Sequence, residues 1–192
     1  MQLISPEALL DRTAQLLARH PGRPLLLALD GRCGSGKTTL AAQLAARFSQ
    51  SITVHTDDFY LPPQQRSEGW EHVPCANMDL ERLRAEVLTP AREGKTFFYR
   101  AYSCREGAYL PPVCCGPIPL IIIEGSYSQH PTLAAYYDLK VFVTCSPEEQ
   151  KKRLRTREGE RYGNFVRRWI PLEEDYFTKY GIEAKADFEV IT

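Results

Sequence analysis

The sequence predicts an α/β fold built on a parallel β-sheet. Three apolar runs of strand length carry this prediction, at residues 24–30, 118–123 and 138–144. Nearly uninterrupted hydrophobic runs suit strands that are buried on both faces, as strands of parallel sheets are. Helical patterns follow the first and the last of these runs, and a length of 192 residues suits one domain, residues 1–192, with a full core.

Composition and charge exclude several functional classes. Hydrophobic residues make up 43% of the chain, and 24 basic residues balance 24 acidic ones, which argues against a general nucleic-acid binder. No apolar run has transmembrane length and no signal peptide opens the chain, so no membrane association is expected. The six cysteines lack C-x-x-C spacing, which disfavours a disulfide framework or a zinc site. We therefore expect a protein of the reducing cytoplasm.

The first half of the chain predicts a helix, two strands and a long loop. Ser5 is expected to cap the first helix, with Pro6 at its first position. A helix at 38–48 follows the first strand, and a β-rich run at 51–56 predicts the second strand. Residues 61–78 contain several prolines and predict a loop of a length that is often functional.

The second half predicts further helices and strands with an irregular region between them. A helix at 79–88 is expected to end before Pro90. The aromatic stretch 96–102 predicts either a strand or a wall of a substrate site, and 103–117 predicts a loop or hairpin. The remaining predicted elements are the strands at 118–123 and 138–144, a helix capped by Ser146, a helix at 171–180 ended by Gly181, and a last strand at 187–191.

Gly31 to Thr38 match the phosphate-binding pattern G-x-x-x-x-G-K-[ST] between the first strand and the helix at 38–48. Glycines let the backbone curl so that its N–H groups surround phosphates, and the helix N-terminus adds further donors. Lys37 is expected to reach the outer phosphates and Thr38 to ligate Mg²⁺. A Gly-rich turn without a ligand is the alternative, which the flanking strand and helix disfavour. The candidate ATP-binding residues are Gly31, Gly34, Ser35, Gly36, Lys37, Thr38 and Thr39.

Carboxylates follow two of the predicted strands. Asp57 and Asp58 come directly after the second strand, and Glu124 ends the run at 118–123. Ligands of parallel α/β sheets gather at the carboxyl ends of the strands, so these acids are candidates for catalysis. A helix cap or turn is the alternative for the aspartates. A buried Glu124 requires a metal ion or a cationic partner, and the candidate metal ligands are Thr38, Glu124 and Asp58.

An arginine-rich segment predicts a mobile lid at about residues 157–170. Arg157 and Arg161 flank Gly159 at helical spacing, and arginine suits phosphate binding because its planar fork binds two oxygens. We expect Arg157 and Arg161 to act as catalytic residues that close over phosphates. The preceding charge run, residues 151–155, is expected to be a solvated helix face.

These motifs together resemble the uridine kinase and phosphoribulokinase family of P-loop kinases. The resemblance rests on the phosphate loop, on the stretch Thr56–Tyr60, on Ile123–Gly125 and on the arginine-rich segment, and it spans residues 24–191. It implies a P-loop NTPase fold with a five-stranded parallel sheet, helices on both faces and an arginine-rich lid. It also implies transfer of the γ-phosphoryl group of ATP, with Mg²⁺, to a hydroxyl of a small metabolite.

The resemblance also implies roles for individual residues. Asp57 matches the catalytic carboxylate that accepts the proton of the attacking hydroxyl, and Glu124 matches the acid near Mg²⁺ and substrate. Tyr99 matches an aromatic residue of the acceptor pocket, and Tyr60 and Asp79 are expected on the same substrate side. Two positions depart from uridine kinases, because Arg100 follows Tyr99 where they have Asp and Asn77-Met78-Asp79 lacks their His-Pro-Asp pattern.

The expected function is therefore that of an ATP- and Mg²⁺-dependent kinase of a small molecule, with a nucleoside as the expected acceptor. Alternative acceptors are a nucleoside monophosphate, nicotinamide riboside or a pantothenate-type compound. A non-catalytic nucleotide switch is the alternative from another class, but the chain has no N-K-x-D motif, and paired aspartates have no purpose in a pure switch. The sequence leaves open whether the protein forms a homo-oligomer.

Overall fold

A six-stranded parallel sheet forms the centre of the structure, a computed structural model that describes residues 2–192. Its strand order is β1-β10-β9-β2-β8-β3. The strands are β1 Gln2–Ile4, β2 Leu25–Gly31, β3 Ser51–His55, β4 Phe97–Tyr99, β5 Tyr102–Ser103, β6 Ala108–Tyr109, β7 Val113–Cys115, β8 Leu120–Glu124, β9 Leu139–Thr144 and β10 Phe188–Ile191. The helices are α1 Pro6–Arg19, α2 Lys37–Arg47, α3 Leu80–Leu83, α4 Thr89–Arg92, α5 Pro131–Ala134, α6 Pro147–Glu158, α7 Tyr162–Asn164, α8 Ile170–Tyr180 and α9 Ile182–Lys185.

The predicted parallel α/β fold is confirmed, but the count of five strands is wrong. The sixth strand is β1, which pairs with β10 at the edge of the sheet through the register Leu3↔Glu189. A strand of three residues is too short to show the alternating or continuous pattern of apolar residues from which a strand is predicted, and its Leu3 side chain is exposed. Its pairing is decided by the position of β10, which lies far away in the sequence.

Helices cover both faces of the sheet, as expected. Every residue of β2 and of β8 is buried, and alternate side chains of these strands enter two separate cores. Leu26 and Ala28 belong to the core that also contains Leu83 of α3 and Phe177 of α8. On the opposite face, Leu25, Leu27 and Leu29 pack with Leu9 of α1 and with Leu40 and Leu44 of α2.

Helix ends follow the predicted caps except at Pro90. Ser5 caps α1 by accepting from the N–H of Ala8, and Gly181 ends α8 in the left-handed conformation. The helix expected to stop before Pro90 continues to Arg92. Residues 84–88 form a π-helical turn, so Pro90 lies at the start of a new α-helical segment, where its missing N–H is not required.

The irregular region 96–117 forms two small antiparallel sheets. β4 pairs with β7, and β5 pairs with β6 as a hairpin. The strand predicted as one alternative within 96–102 is therefore present, and most of the hairpin lies in the predicted loop or hairpin at 103–117. Along residues 2–192, no helix is long and apolar enough to cross a membrane.

Gly31 closes β2 where the neighbouring strand leaves no space for a side chain. Its φ is +133°, and a Cβ atom there would lie 2.0 Å from the carbonyl oxygen of Val143 in β9. We therefore expect Gly31→Ala to lower the free energy of unfolding by about 3 kcal/mol, because backbone would have to move. Urea unfolding measures this change. Gly116→Ala is the control, since nothing lies within 4 Å of that position, and equal losses in both variants would contradict the steric argument.

Candidate active site

The phosphate loop lies between β2 and α2 and is held in a curled form. Gly34 and Gly36 have φ angles of +75° and +87°, a conformation that other residues rarely adopt. The Nζ of Lys37 donates to the carbonyl oxygens of Gly31, at 2.6 Å, and of Arg32, at 3.0 Å. The side chain of Lys37 therefore lies across its own loop, where phosphates are expected.

A cavity of about 730 Å³ opens in front of this loop. Its walls come from the phosphate loop, from the carboxyl ends of β3 and β8, and from the segment between α6 and α8. The lining residues with polar, charged or aromatic side chains include Lys37, Thr38, Asp57, Tyr60, Asn77, Glu124, Ser126, Tyr127, Arg153, Arg157, Phe165, Trp169 and Glu173. Of the candidate ATP-binding residues, Gly31 and Ser35 lie behind this wall, and Ser35 is fully buried.

Glu124 and Thr38 meet at the end of β8. The Thr38 hydroxyl donates to Oε1 of Glu124 at 3.3 Å, and Nδ1 of His55 lies 2.5 Å from the same oxygen. The hydrogen bond to Glu124 raises the pKa of His55, which favours the imidazolium form. His55 is thus a hydrogen-bond partner of the buried Glu124 carboxylate. The sequence analysis missed it because β3 and β8 become neighbours only in the folded sheet.

The pair of Thr38 and Glu124 fits a magnesium ion. Both present oxygen atoms, and Asp57 lines the same cavity. Within residues 2–192, no group of three or more His, Cys, Asp or Glu side chains is placed to hold a metal ion. In general, Mg²⁺ is bound through one or two protein ligands and substrate phosphates rather than through a complete protein cage.

Asp57 and Tyr60 form a polar pair in the cavity wall. Asp57 is exposed in the 3-10 turn that follows β3, and the phenol of Tyr60 donates to its Oδ1 at 2.8 Å. Burial and the charge of Asp57 raise the pKa of Tyr60 well above its usual value, so Tyr60 remains a donor. The bond orients the Asp57 carboxylate while its other oxygen stays available.

Asp58 and Tyr99 lie outside the cavity wall. The Tyr99 hydroxyl donates to Oδ2 of Asp58 at 3.3 Å, and the Tyr99 ring stacks on Phe59. Burial raises the pKa of Asp58. Asp79 caps α3 by accepting from the N–H of Arg82. The structure therefore does not bring these three predicted site residues to the phosphate loop, and their predicted roles in binding metal or acceptor stay predictions.

The two lid arginines occupy different places. Arg157 lines the cavity, pairs with Glu158 at 2.7 Å and stacks on Phe165. Arg161 is largely exposed and contacts Glu158 at 3.3 Å. The structure brings Arg157, but not Arg161, to the cavity.

Arg153 was wrongly expected on a solvated helix face. Its guanidinium contacts the carbonyl oxygen of Gly34 at 3.4 Å and the hydroxyl of Thr192 at 2.8 Å, and it lines the cavity. Charge patterning could not distinguish the inner face of α6 from its outer face.

Helix α8 holds the phosphate loop through acidic contacts that the sequence analysis missed. Glu173 is 4% exposed and accepts from the N–H of Cys33 at 2.8 Å and from the hydroxyl of Ser126. Its neighbour Glu174 forms a two-pronged ion pair with Arg32. No local signal in the sequence marks these acids, because they lie in an ordinary amphipathic helix.

Asp30 is a third acid that carries no signal in the sequence, and it is fully buried beneath the loop. Its carboxylate accepts from the backbone N–H groups of Gly31, Tyr127 and Gln129 and from the hydroxyl of Tyr176. Burial raises its pKa to about 6, although these hydrogen bonds oppose the increase. Asp30 thus joins β2, the segment after β8 and helix α8.

Comparison with known proteins supports the expected resemblance. Residues 27–168 match the model of a protein family described as "AAA domain". Nicotinamide riboside kinase 2 of Mus musculus is 29% identical over 145 residues, covering 69% of this chain and 68% of that protein. Uridine kinase of Ureaplasma urealyticum is 26% identical over 137 residues, covering 66% of this chain and 65% of that protein. The matches thus span about two thirds of these relatives.

A solved structure agrees in fold. A protein of Bacillus stearothermophilus, described as a possible uridine kinase, superposes with a TM-score of 0.71 at 21% identity, covering 95% of this chain and 99% of that one. The predicted P-loop fold and the predicted resemblance to the uridine kinase family are confirmed.

The raised pKa of Asp30 predicts a pH-dependent stability. A carboxyl group whose pKa rises from 3.8 in the unfolded chain to about 6 in the folded one stabilises most below pH 4. Its contribution is lost as the pH rises through 6. We expect the stability of wild type relative to Asp30→Asn to fall by about 2 kcal/mol between pH 4 and pH 7. Urea unfolding of both proteins at each pH measures this difference, and a constant difference would contradict the assignment.

Proposed function

The chain belongs to the AAA-domain family, and we propose that it is a P-loop kinase that transfers the γ-phosphoryl group of ATP to a hydroxyl of a small metabolite, most specifically a nucleoside. The kinase relatives support the coarser part of this proposal. The nucleoside acceptor is the finer part and rests on the chemistry of the cavity.

One observation carries the proposal: an exposed carboxylate and the phosphate loop face the same cavity. Asp57 lines the cavity together with Lys37 and Thr38. Phosphoryl transfer needs a triphosphate held by its outer phosphates and an acceptor hydroxyl beside a group that takes its proton. The cavity is large enough for both substrates, since sites for small molecules and cofactors commonly measure about 300–1,000 Å³.

In the proposed mechanism, the phosphate loop binds the triphosphate and Asp57 serves the acceptor. Lys37 would exchange its bonds to the loop carbonyls for contacts with phosphate oxygens. Thr38 and Glu124 would hold Mg²⁺, which supplies charge neutralisation of the phosphates. Asp57, oriented by Tyr60, would accept the proton of the attacking hydroxyl.

Arg153 and Arg157 would neutralise the charge of the transferred group from the side of α6. Arg153 already contacts the loop at Gly34, and Arg157 lines the cavity. Because Arg157 now pairs with Glu158 in the adjoining turn, its movement onto phosphate requires exchange of that partner. Arg161 would need a larger displacement of the segment 157–170, which we propose as the lid.

The charge distribution favours an acceptor that is not an anion. Among the described residues that line the cavity, the Lys and Arg side chains are Lys37, Arg153 and Arg157, and all three lie at the phosphate loop or on α6. The part of the wall around Asp57 and Asn77 is acidic or neutral. A nucleoside or the cation nicotinamide riboside suits this surface. A nucleoside monophosphate or a pantothenate carboxylate would meet Asp57 and Glu173 without a compensating cation.

We expect ADP formation that depends on a neutral or cationic acceptor. Purified protein is assayed with ATP, Mg²⁺ and, one at a time, uridine, cytidine, nicotinamide riboside, uridine monophosphate and pantothenate. Turnover with at least one of uridine, cytidine and nicotinamide riboside, and none with the two anions, is the expected pattern.

Lys37→Ala should remove this turnover and weaken binding of an ATP analogue in calorimetry, because the cation fixed in the loop is lost.

Two outcomes would contradict the proposal. ATP hydrolysis that is indifferent to every acceptor would favour the nucleotide switch. If Lys37→Ala bound the ATP analogue with unchanged affinity and kept its turnover, the assignment of residues 31–38 as a phosphate-binding loop would be contradicted.

The two aspartates are expected to differ in their effect on turnover. Asp57→Asn keeps the shape of the side chain but cannot take a proton, so kcat should fall by about 10²–10⁴-fold with ATP binding retained. Asp58→Asn is the matched control, because Asp58 faces Tyr99 instead of the cavity, and it should reduce kcat far less. Steady-state kinetics of both variants test this order, and the reverse order would exclude Asp57 as the base.

A further inference from the structure

The two tryptophans of the chain contact each other beside the cavity. Trp70 lies in the loop 61–78, and Trp169 lies in the π-helical turn directly before α8. Their ring centroids are 6.2 Å apart with planes inclined at 37°. Trp169 lines the cavity, whereas Trp70 packs behind it. The contact joins two segments that are about 100 residues apart in the sequence and that both contribute residues to the cavity lining.

We propose that Trp70 is a positioning residue: it holds Trp169 in the cavity wall and thereby links the acceptor side of the site to the helix that holds the phosphate loop. The proposal rests on the proposed function for its kinetic consequence, but the link itself does not depend on turnover. We call the pair Trp70–Trp169 the tryptophan clasp.

Arginines pack against both rings of the clasp. The guanidinium of Arg66 lies 4.8 Å from the ring centroid of Trp70, and that of Arg168 lies 5.6 Å from Trp70 and 5.9 Å from Trp169. Arg66 also donates to the carbonyl oxygen of Leu61, which fixes it to the start of its own loop. Cation–π contacts favour these stacked arrangements. The clasp is therefore a stack of two indole rings and two guanidinium groups, to which both segments contribute.

On one side, the clasp connects to the acceptor wall. The loop 61–78 is closed at its base by the hydrogen bond from Leu61 N–H to the Asn77 carbonyl oxygen and by the bridge between Tyr60 and Met78. Tyr60 and Asn77, at the two ends of this loop, both line the cavity. A displacement of Trp70 therefore acts on the base of the loop, where the acceptor is expected to bind.

On the other side, the clasp connects to the phosphate loop. Trp169 directly precedes α8, which carries Glu173 in its first turn and Glu174 directly after it. These acids bind the N–H of Cys33 and the guanidinium of Arg32. A shift of the phosphate loop on nucleotide binding is thus transmitted to Trp169 through a short, packed helix, and a contiguous set of contacts of this kind can couple two binding sites.

Tryptophan fluorescence tests the link without requiring catalysis. Both variants at position 169 leave Trp70 as the single tryptophan, so its emission can be followed alone. In Trp169→Phe, the aromatic contact is kept, and we expect Trp70 emission to change when a non-hydrolysable ATP analogue with Mg²⁺ is added. In Trp169→Ala, the contact is lost, and Trp70 emission should not respond to the same addition. Because Trp70 does not line the cavity, a response that is kept in Trp169→Phe and lost in Trp169→Ala is assigned to the ring at position 169.

The same titration can overturn the proposal. An equal response of Trp70 in the Phe and Ala variants, or no response in either, excludes the clasp as the link. Binding of the analogue is measured separately by calorimetry in each variant, so that an absent response is interpreted only where the analogue is bound.

Kinetics test the effect on the acceptor, with uridine as the probe. Trp70→Ala should raise the KM for uridine by about 2- to 10-fold, the range that loss of one aromatic pair produces, while the KM for ATP changes less than about 2-fold. Trp70→Phe should restore values near those of wild type. Val73→Ala is the matched control, because Val73 is 47% exposed in the same loop.

Three kinetic results would contradict the role of Trp70. They are an equal rise of both KM values, no recovery in Trp70→Phe, and an equal effect of Val73→Ala. If wild type turns over cytidine or nicotinamide riboside but not uridine, that acceptor replaces uridine as the probe. Absence of turnover with all three would instead count against the proposed acceptor, and the fluorescence result would then decide on the clasp alone.

Discussion

The site depends on a buried carboxylate. Asp30 ends β2 inside the sheet and receives hydrogen bonds from Gly31, Tyr127, Gln129 and Tyr176. Ionising a fully buried acid is unfavourable unless its oxygens are satisfied. Its four donors come from the phosphate loop, from the segment after Glu124 and from α8. One constraint therefore fixes the relative positions of three of the segments that line the cavity.

The side chains that are expected to bind substrates already form hydrogen bonds or ion pairs within the protein. Lys37 lies on the carbonyl oxygens of its own loop, Glu124 accepts from His55 and Thr38, and Arg157 pairs with Glu158. Each of these contacts satisfies a charged or buried group that would otherwise lack a partner. Substrate binding must exchange them, so the proposed kinase binds its ligands by replacing internal contacts of similar chemistry rather than by filling a site of unpaired charges.

The local motifs of the sequence predicted most of the framework. Uninterrupted apolar runs identified β2, β8 and β9, and the phosphate-binding pattern identified the loop before α2. These signals are short-range, because burial on both faces and the turn geometry at glycines leave a pattern within a few residues. The edge strand β1 was not predicted because three residues are too few to show a hydrophobic pattern. The continuation of the helix through Pro90 was not predicted because a π-helical turn has no recognisable sequence pattern.

The sequence by itself determined the fold class, the phosphate loop and the acids at the carboxyl ends of β3 and β8. Only the tertiary structure decided which charged side chains share one cavity: it places Asp57, Arg153 and Arg157 in the wall and leaves Asp58 outside it. The reason is physical. A motif constrains neighbours along the chain, whereas the direction of a side chain depends on which distant elements pack beside it, as α8 does against the phosphate loop and Trp70 does against Trp169.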